Sequence, residues 1–339
     1  MWLKVLFAAA VFAMASGQGP KPAPTKPIVL PHDDSFLITP VQWWYWTGHL
    51  SSGSSKTFGF EFCFFIVEGI ANLVQVAVTD VAEQKFVYTE DLGVELDILR
   101  MNSTTGTFNL SSRKGVQVAK GGDGSDELKF AVGDFTVNLS LQSTKPAAQH
   151  YNGHAHPYSF GGWTFYYSRT NMVAIGSLSN SRTGEELAVS GTGWFDRQWG
   201  DLAQAVLQGW QWFAIELDDN TQIMLFDFNG DSSESYGSVT FANGTTADIH
   251  QGSEFTVTIL ANWTSPASGC TYPSLWAVEL NTPLLPQQTL SIVPKVADQE
   301  LKVMDSPTYW EGASYVTVGA TSVGNAYVEL NGYCPKVSK

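Results

Sequence analysis

The segment TFGFEFCFFIV, Thr57 to Val67, constrains the fold more than any other part of the sequence. Phe58, Phe60, Phe62 and Phe64 recur at every second position, with Gly59, Glu61, Cys63 and Phe65 between them. A period of two is the repeat of an extended strand, whose successive side chains leave opposite faces. The same alternation, rich in β-branched and aromatic residues and bounded by Gly, Asn, Asp or Pro, returns in LVQVAVTDV, FTVNLSLQS, WTFYYSRT, MVAIGSLS, QIMLFDFNG, EFTVTIL and AYVELNGY. No long stretch carries an apolar stripe at helical spacing. The sequence predicts an all-β chain of many short antiparallel strands in a sandwich or barrel. Closure into barrels would remove the exposed edges that so much sheet otherwise presents.

A second segment, PVQWWYWTGHL from Pro40 to Leu50, puts large rings on both faces of one strand. Either two packed layers meet there, or one face looks into a cavity that holds something flat and apolar. Two further segments echo it. GTGWFDRQWG sets Asp196 between Trp194 and Trp199, and GWQWFAIEL carries Trp210 and Trp212 on one face with Gln211 and Phe213 on the other. If these segments converge, they form a box of π faces with few polar groups: Glu61, Asp196, Gln42, Gln198, Gln211 and His49. That is the composition of a small-molecule pocket. A structural reading competes at each position. Asp196 is equally suited to bonding backbone amides, Arg197 or Arg169, Glu61 to an ordinary strand position, and the Trp blocks to a core. The residues alone leave these open.

The chain opens with Lys4, an apolar run from Val5 to Ala15 and small residues through Gly17, the pattern of a secretory signal peptide over residues 1–17. A proline-rich leader follows over 18–30. Secretion predicts glycans, and five Asn-x-Ser/Thr sites are present, at Asn102, Asn109, Asn138, Asn243 and Asn262. Of three cysteines, Cys270 and Cys334 lie in turn-like surroundings suited to a disulfide in an oxidising compartment, and Cys63 reads as a buried thiol. The remaining length exceeds most single barrels, so two domains are expected, cut near residue 200 into 31–200 and 201–339. A net charge of −14 with only 15% charged residues argues against nucleic acid and anionic membranes, and for an apolar small-molecule partner.

QWWYWTGHL, GWFDRQWG followed by GWQWFAIELDD, and YWEGASYVTVGATSVGNAYVELNGY resemble, in order, the lipocalin-like family of carotenoid 1,2-hydratases, AttH proteins, kievitone hydratase and fungal Diels–Alderases. The resemblance spans about residues 40–333. It implies two tandem lipocalin-like barrel or sandwich domains, a ligand site at or near their junction, and no cofactor. Among its members the chain looks most like the secreted fungal hetero-Diels–Alderases and kievitone-type hydratases.

Two departures bear on the chemistry. Gln42 stands where the family's first motif usually has Glu, and Gln198 where the third usually has Glu. Protonating an alkene asks for a carboxylic acid of raised pKa, which leaves Asp196 and Glu61 as candidate acids. Gln42, Gln198 or Gln211 would donate to a substrate oxygen, while Trp44, Tyr45, His49, Trp194, Trp210 and Trp212 would shape the cavity. The leading expectation is a pericyclase that dehydrates its substrate to a quinone-methide-like diene and steers a hetero-Diels–Alder addition. The alternatives are hydration of an isoprenoid double bond and a non-catalytic carrier. QHYNGHAHPYSF, with His150, His154 and His156, invites a metal, but its Gly and Pro punctuation and lack of a carboxylate favour a mobile loop or lid, so no metal is expected.

Overall fold

A computed structural model of the chain describes residues 22–53, 56–68, 71–96, 104–229, 232–302 and 308–334. The signal peptide, the leader up to residue 21 and Asn102 lie outside the described residues. Alternating segments become strands throughout. The unit that ends at Ala203 holds β1 (Val41–Ser52), β2 (Lys56–Val67), β3 (Ala71–Asp80), β4 (Lys85–Leu92), β5 (Val94–Leu96), β6 (Phe108–Ser112) and β7 (Val118–Gly122). It continues with β8 (Ser125–Val132), β9 (Phe135–Ser143), β10 (Ala148–Gln149), β11 (His156–Pro157), β12 (Trp163–Asn180) and β13 (Glu185–Asp201). These form one antiparallel sheet in the order β4-β3-β2-β1-β13-β12-β9-β8-β7-β6-β5, with β10 and β11 beside β12.

A short helix, α1 (Ala203–Gln208), follows. The second unit then supplies β14 (Trp210–Leu217), β15 (Gln222–Phe228), β16 (Tyr236–Thr240), β17 (Thr246–His250), β18 (Phe255–Thr264) and β19 (Thr271–Leu280). Its last strands are β20 (Gln288–Pro294), β21 (Glu300–Leu301), β22 (Tyr309–Val318) and β23 (Thr321–Asn331). They pair in the order β17-β16-β15-β14-β23-β22-β20-β19-β18, with β21 on β22. The two sheets make one nearly closed barrel and one half-barrel, the tandem lipocalin-like architecture.

Period-two patterning decides what fills each core. In the N-terminal unit Phe58, Phe60, Phe62 and Phe64 of β2 join Trp44, Trp46, Phe195 and Trp199 in one buried cluster. Trp46 lies 4.9 Å from Phe195 and 5.9 Å from Phe62 between ring centroids. Ile28 packs on this cluster, and its amide donates to the Gly153 carbonyl, so the end of the leader belongs to the folded domain. The second core is built on Phe213, Ile215, Trp276 and Trp310. Cys270 and Cys334 are joined there by a disulfide, and Cys63 is a buried free thiol. Asn138, Asn243 and Asn262 are exposed and Asn109 half-buried.

A positive charge sits inside the N-terminal core. Arg197 of β13 is fully buried. Its Nη2 donates to the Ser35 carbonyl at 2.9 Å and to Gln42 Oε1 at 2.8 Å, and Nη1 donates to the Trp43 carbonyl at 3.2 Å. The guanidinium lies 3.8 Å over the Trp44 ring. Burial pulls its pKa down to about 10, which still leaves it charged at neutral pH. Replacing this cation by Arg197→Met takes a donor from the Ser35 and Trp43 carbonyls and leaves Gln42 Oε1 only the Leu37 amide, and should destabilise the N-terminal unit by about 3 kcal/mol or more. Thermal melting of the variant beside wild type checks this; an unchanged melting temperature would remove Arg197 from its structural role.

Candidate functional site

The residues that do not face the N-terminal core form a second, polar face on the same strands. Register fixes their neighbours. Tyr45 of β1 is paired with Cys63 on β2 and Asp196 on β13, and Asp196 in turn with Ser168 on β12. One step along, Thr47 is paired with Glu61 on one side and Trp194 on the other. In the opposite direction Gln198 is paired with Tyr166. Two rows therefore lie side by side, Glu61–Thr47–Trp194 and Cys63–Tyr45–Asp196–Ser168. All seven residues are buried.

Asp196 is the centre of this face. Its Oδ2 accepts from Tyr166 Oη at 2.7 Å, and its Oδ1 accepts from Ser168 Oγ at 2.5 Å and from Trp194 Nε1 at 2.7 Å. Every one of these donors is neutral. Burial pushes the Asp196 carboxyl up to about 7, and the three donors only partly oppose it. The competing structural expectation, an arginine partner, does not hold. Arg197 points into the core, and Arg169 pairs with buried Asp34 at 2.8 Å. Behind Ser168 stands His150, whose Nε2 lies 2.7 Å from Ser168 Oγ. His150 is fully buried, its ring centroid is 4.1 Å from that of Tyr166, and burial pulls its pKa down to about 3. The imidazole is thus neutral, and His150, Ser168 and Asp196 make a hydrogen-bonded chain able to hold or pass a proton.

The predicted site residues divide by face. Asp196, Glu61, Gln198, Tyr45, His49 and Trp194 share the polar face, with His49 one step beyond Thr47 and paired with Gly59 and Thr192. Gln198 Nε2 donates to Thr164 Oγ1 at 2.8 Å. Gln42 and Trp44 face the other way. Gln42 is spent on the Leu37 backbone and Arg197, and Trp44 donates from Nε1 to the Asp34 carbonyl, so the substrate roles expected of both give way to core packing. Gln211 is likewise turned inward in the second unit, where its Nε2 donates to Asp227 Oδ2 and its Oε1 accepts from Trp276 Nε1. Trp210 and Trp212 are buried on the opposite face of that strand.

Three residues of the polar face escaped sequence reading, Tyr166, Ser168 and Thr47, while His150, read as part of a loop or lid, stands behind Ser168. Tyr166 and Ser168 alternate on WTFYYSRT, but only the pairing of β12 with β13 brings them to Asp196. The histidine segment is pinned rather than a free lid: Tyr151 stacks on His156 at 4.2 Å, and His150 is inside. Among the described residues the one cluster at metal-ligand distances is Cys270, Glu300 and Cys334, and its two sulfurs are consumed by the disulfide.

A sequence model described as AttH-like matches residues 21–333. Among solved structures, a Nitrosomonas europaea protein assigned as AttH superposes with a TM-score of 0.76 at 24% identity, covering 91% of this chain and 98% of that one. Kievitone hydratase from Nectria haematococca gives 0.70 at 18% identity, over 93% and 98%. CghA, solved with Sch210972, gives 0.59 at 10% identity, over 94% and 96%. At these identities the likeness establishes the fold. No curated protein matches the sequence.

The electrostatics of Asp196 carry a stability signature. A carboxyl whose folded pKa stands near 7, against about 3.9 unfolded, favours folding below both values and loses that contribution as pH rises through 7. Above pH 7 the buried carboxylate costs of order 4 kcal/mol. Asp196→Asn should therefore melt several degrees above wild type at pH 8 and show no such gain at pH 4. Calorimetric melts at the two pH values decide it; a variant less stable than wild type at pH 8 would make Asp196 a structural carboxylate.

Proposed function

The chain belongs to the AttH-like family, and from that premise we propose that it is a cofactor-free enzyme of lyase or cyclase type in which Asp196 moves a proton on an apolar substrate. One observation carries the reading: a buried carboxyl with three neutral donors and no cation stays protonated close to neutral pH. Such a group is a competent general acid.

The preferred reaction begins with a benzylic alcohol that also bears an acidic ring hydroxyl. Asp196 gives its proton to the benzylic oxygen, the C–O bond breaks and water leaves. The ring hydroxyl loses its proton and restores the carboxyl, and the product is a quinone-methide-like heterodiene. Hetero-Diels–Alder addition to an alkene then forms one C–C and one C–O bond. The aromatic side chains near Asp196 suit this step, since cycloaddition asks mainly for two π systems held at near-attack distance. Glu61 lies on the same face with β1 between its strand and that of Asp196, about 12 Å away by strand spacing, and serves the far end of a substrate rather than the same proton. The second reading gives the same proton to carbon. A carboxyl of raised pKa can also protonate an isoprenoid double bond; water then adds to the cation and returns a proton to the Asp196 carboxylate.

We read the protein as secreted and glycosylated. The Cys270–Cys334 disulfide suits an oxidising compartment, and the sequons at Asn138, Asn243 and Asn262 are exposed.

Incubation with a hydroxymethyl tropolone and a humulene-type alkene, and separately with a prenylated phenol, tests the readings by chiral LC–MS. The first predicts a single-enantiomer adduct with loss of water, the second a product heavier by one water. In either case kcat/KM should fall above about pH 7 as Asp196 ionises, and Asp196→Asn should lower it 100-fold or more. Because the Ser168 hydrogen bond holds the Asp196 pKa down, Ser168→Ala should move the alkaline limb to higher pH. Ligand binding without turnover on any of these substrates would reduce the protein to a carrier.

A further inference from the structure

β18 (Phe255–Thr264) ends its sheet and, apart from a single bridge between Phe255 and Gln251, pairs among the described residues only with β19. Thr258, Ile259, Leu260, Ala261 and Asn262 are exposed in succession, so this stretch of strand buries neither face. Ile259 is 42% exposed and Leu260 55%. The register shifts between Ile259 and Ala261, which leaves Leu260 without a counterpart on β19. No Asp, Glu, Lys, Arg or His occurs between Glu254 and Glu279, although the chain carries a net charge of −14. The end strands β4 and β17 differ: β4 carries Lys85, Glu90 and Asp91, and β17 carries Asp248 and His250. An open edge invites pairing with another chain, and charged side chains are a common defence against it. β18 lacks that defence. What it has instead is a sequon, Asn262-Trp263-Thr264, that begins inside the exposed stretch.

We propose that the outer edge of β18 is a pairing surface for a second copy of this chain, and that a glycan on Asn262 keeps two copies apart. This rests on the reading of the protein as secreted and glycosylated. Charge selects the partner. Two copies, each of net charge −14, repel at long range, and an uncharged hairpin lets them meet with the least like-charge contact. An antiparallel pair of identical strands is also self-complementary about a two-fold axis. With the axis between Ile259 and Leu260, Ile259 faces Leu260 of the second copy and Asn262 faces its Val257. The apolar pair then lies at the centre, and Asn262 of each copy lies inside the paired stretch. A bulky, hydrated sugar on both asparagines splays the strands. The shift at Leu260 twists the edge and keeps the pairing weak, so association is reversible and depends on concentration.

Protein secreted from a glycosylating eukaryotic host is weighed intact and then sedimented over a concentration series. The difference in intact mass between wild type and Asn262→Gln reads the occupancy of Asn262. Wild type should stay monomeric. Asn262→Gln should shift with concentration toward twice the monomer mass, and so should Thr264→Ala, which removes the sequon but keeps Asn262. Asn243→Gln, which removes a sequon elsewhere, should remain monomeric. Leu260→Lys added to Asn262→Gln should restore the monomer by placing two like charges beside the axis. An Asn262→Gln protein that stays monomeric at the highest concentration, a dimer that survives Leu260→Lys, or a dimer formed equally by Asn243→Gln would each overturn the proposal. A wild-type mass with no glycan at Asn262 would overturn it by another route, through the reading of the protein as glycosylated, and that failure shows in the mass spectrum rather than in sedimentation.

Discussion

The alternation of side chains along Phe195–Gly200 governs the N-terminal unit. Phe195, Arg197 and Trp199 enter the core, and Asp196 and Gln198 leave on the other side. Because the period is two, sliding this strand by one residue would exchange the sets, burying Asp196 among aromatic rings and bringing Arg197 to the polar face. The contacts of Arg197 with Trp44, Gln42, Ser35 and Trp43 make that slip expensive. A side chain that never touches the polar face thereby determines which groups appear on it.

The same segregation sets the chemistry. Two arginines lie near Asp196, Arg197 next to it in the chain and Arg169 on the paired strand, and either one bonded to it would hold its carboxyl in the ordinary acidic range. Both are turned away. Arg169 is committed to Asp34, and Arg197 to carbonyls and an amide. Asp196 is left with a tyrosine, a serine and an indole, which satisfy its lone pairs without supplying charge. The result is an acid that is well ordered yet easily kept protonated. His150 extends the order outward, since a neutral imidazole fixes the rotor of Ser168 and hence the direction of its hydrogen bond to the carboxylate.

What the sequence disclosed follows from the range of the interaction involved. The Phe58–Phe64 ladder and the opposite set from Gly59 to Phe65 were legible because alternation is local, and so was the division of the aromatic block at Trp43–Trp46 between two environments. Which face served which purpose was not legible. Gln42 and Trp44 have the look of pocket residues, and only the buried position of Arg197 reveals that they are its supports. Tyr166, Ser168 and His150 are ordinary residues of a strand and a Gly-rich loop; they acquire meaning from the register of β12 on β13, a contact between segments some thirty residues apart. Gln211 repeats the lesson of Gln42, an amide in an aromatic segment whose partners, Asp227 and Trp276, are supplied by distant strands.

The two amides that depart from the family's usual pattern now have distinct consequences. At Gln42 a glutamate would meet Arg197 as a buried ion pair; the glutamine keeps the hydrogen bond and gives up the charge, and burial then dominates the arginine, whose pKa drops to about 10. That change stays within the core. At Gln198 a glutamate would stand on the polar face one strand position from Asp196, and a second negative charge there would compete for the same proton and spread its titration over a coupled pair. The glutamine instead donates to Thr164 and leaves one carboxyl in the immediate cluster. A single acid with a single pKa is suited to one proton transfer on a substrate that brings its own leaving group or double bond. A pair would suit chemistry in which one carboxylate acts as base while the other acts as acid. In the reaction proposed above, Gln198 leaves Asp196 as the one acid of the immediate cluster, which suits dehydration or protonation better than a two-carboxylate mechanism.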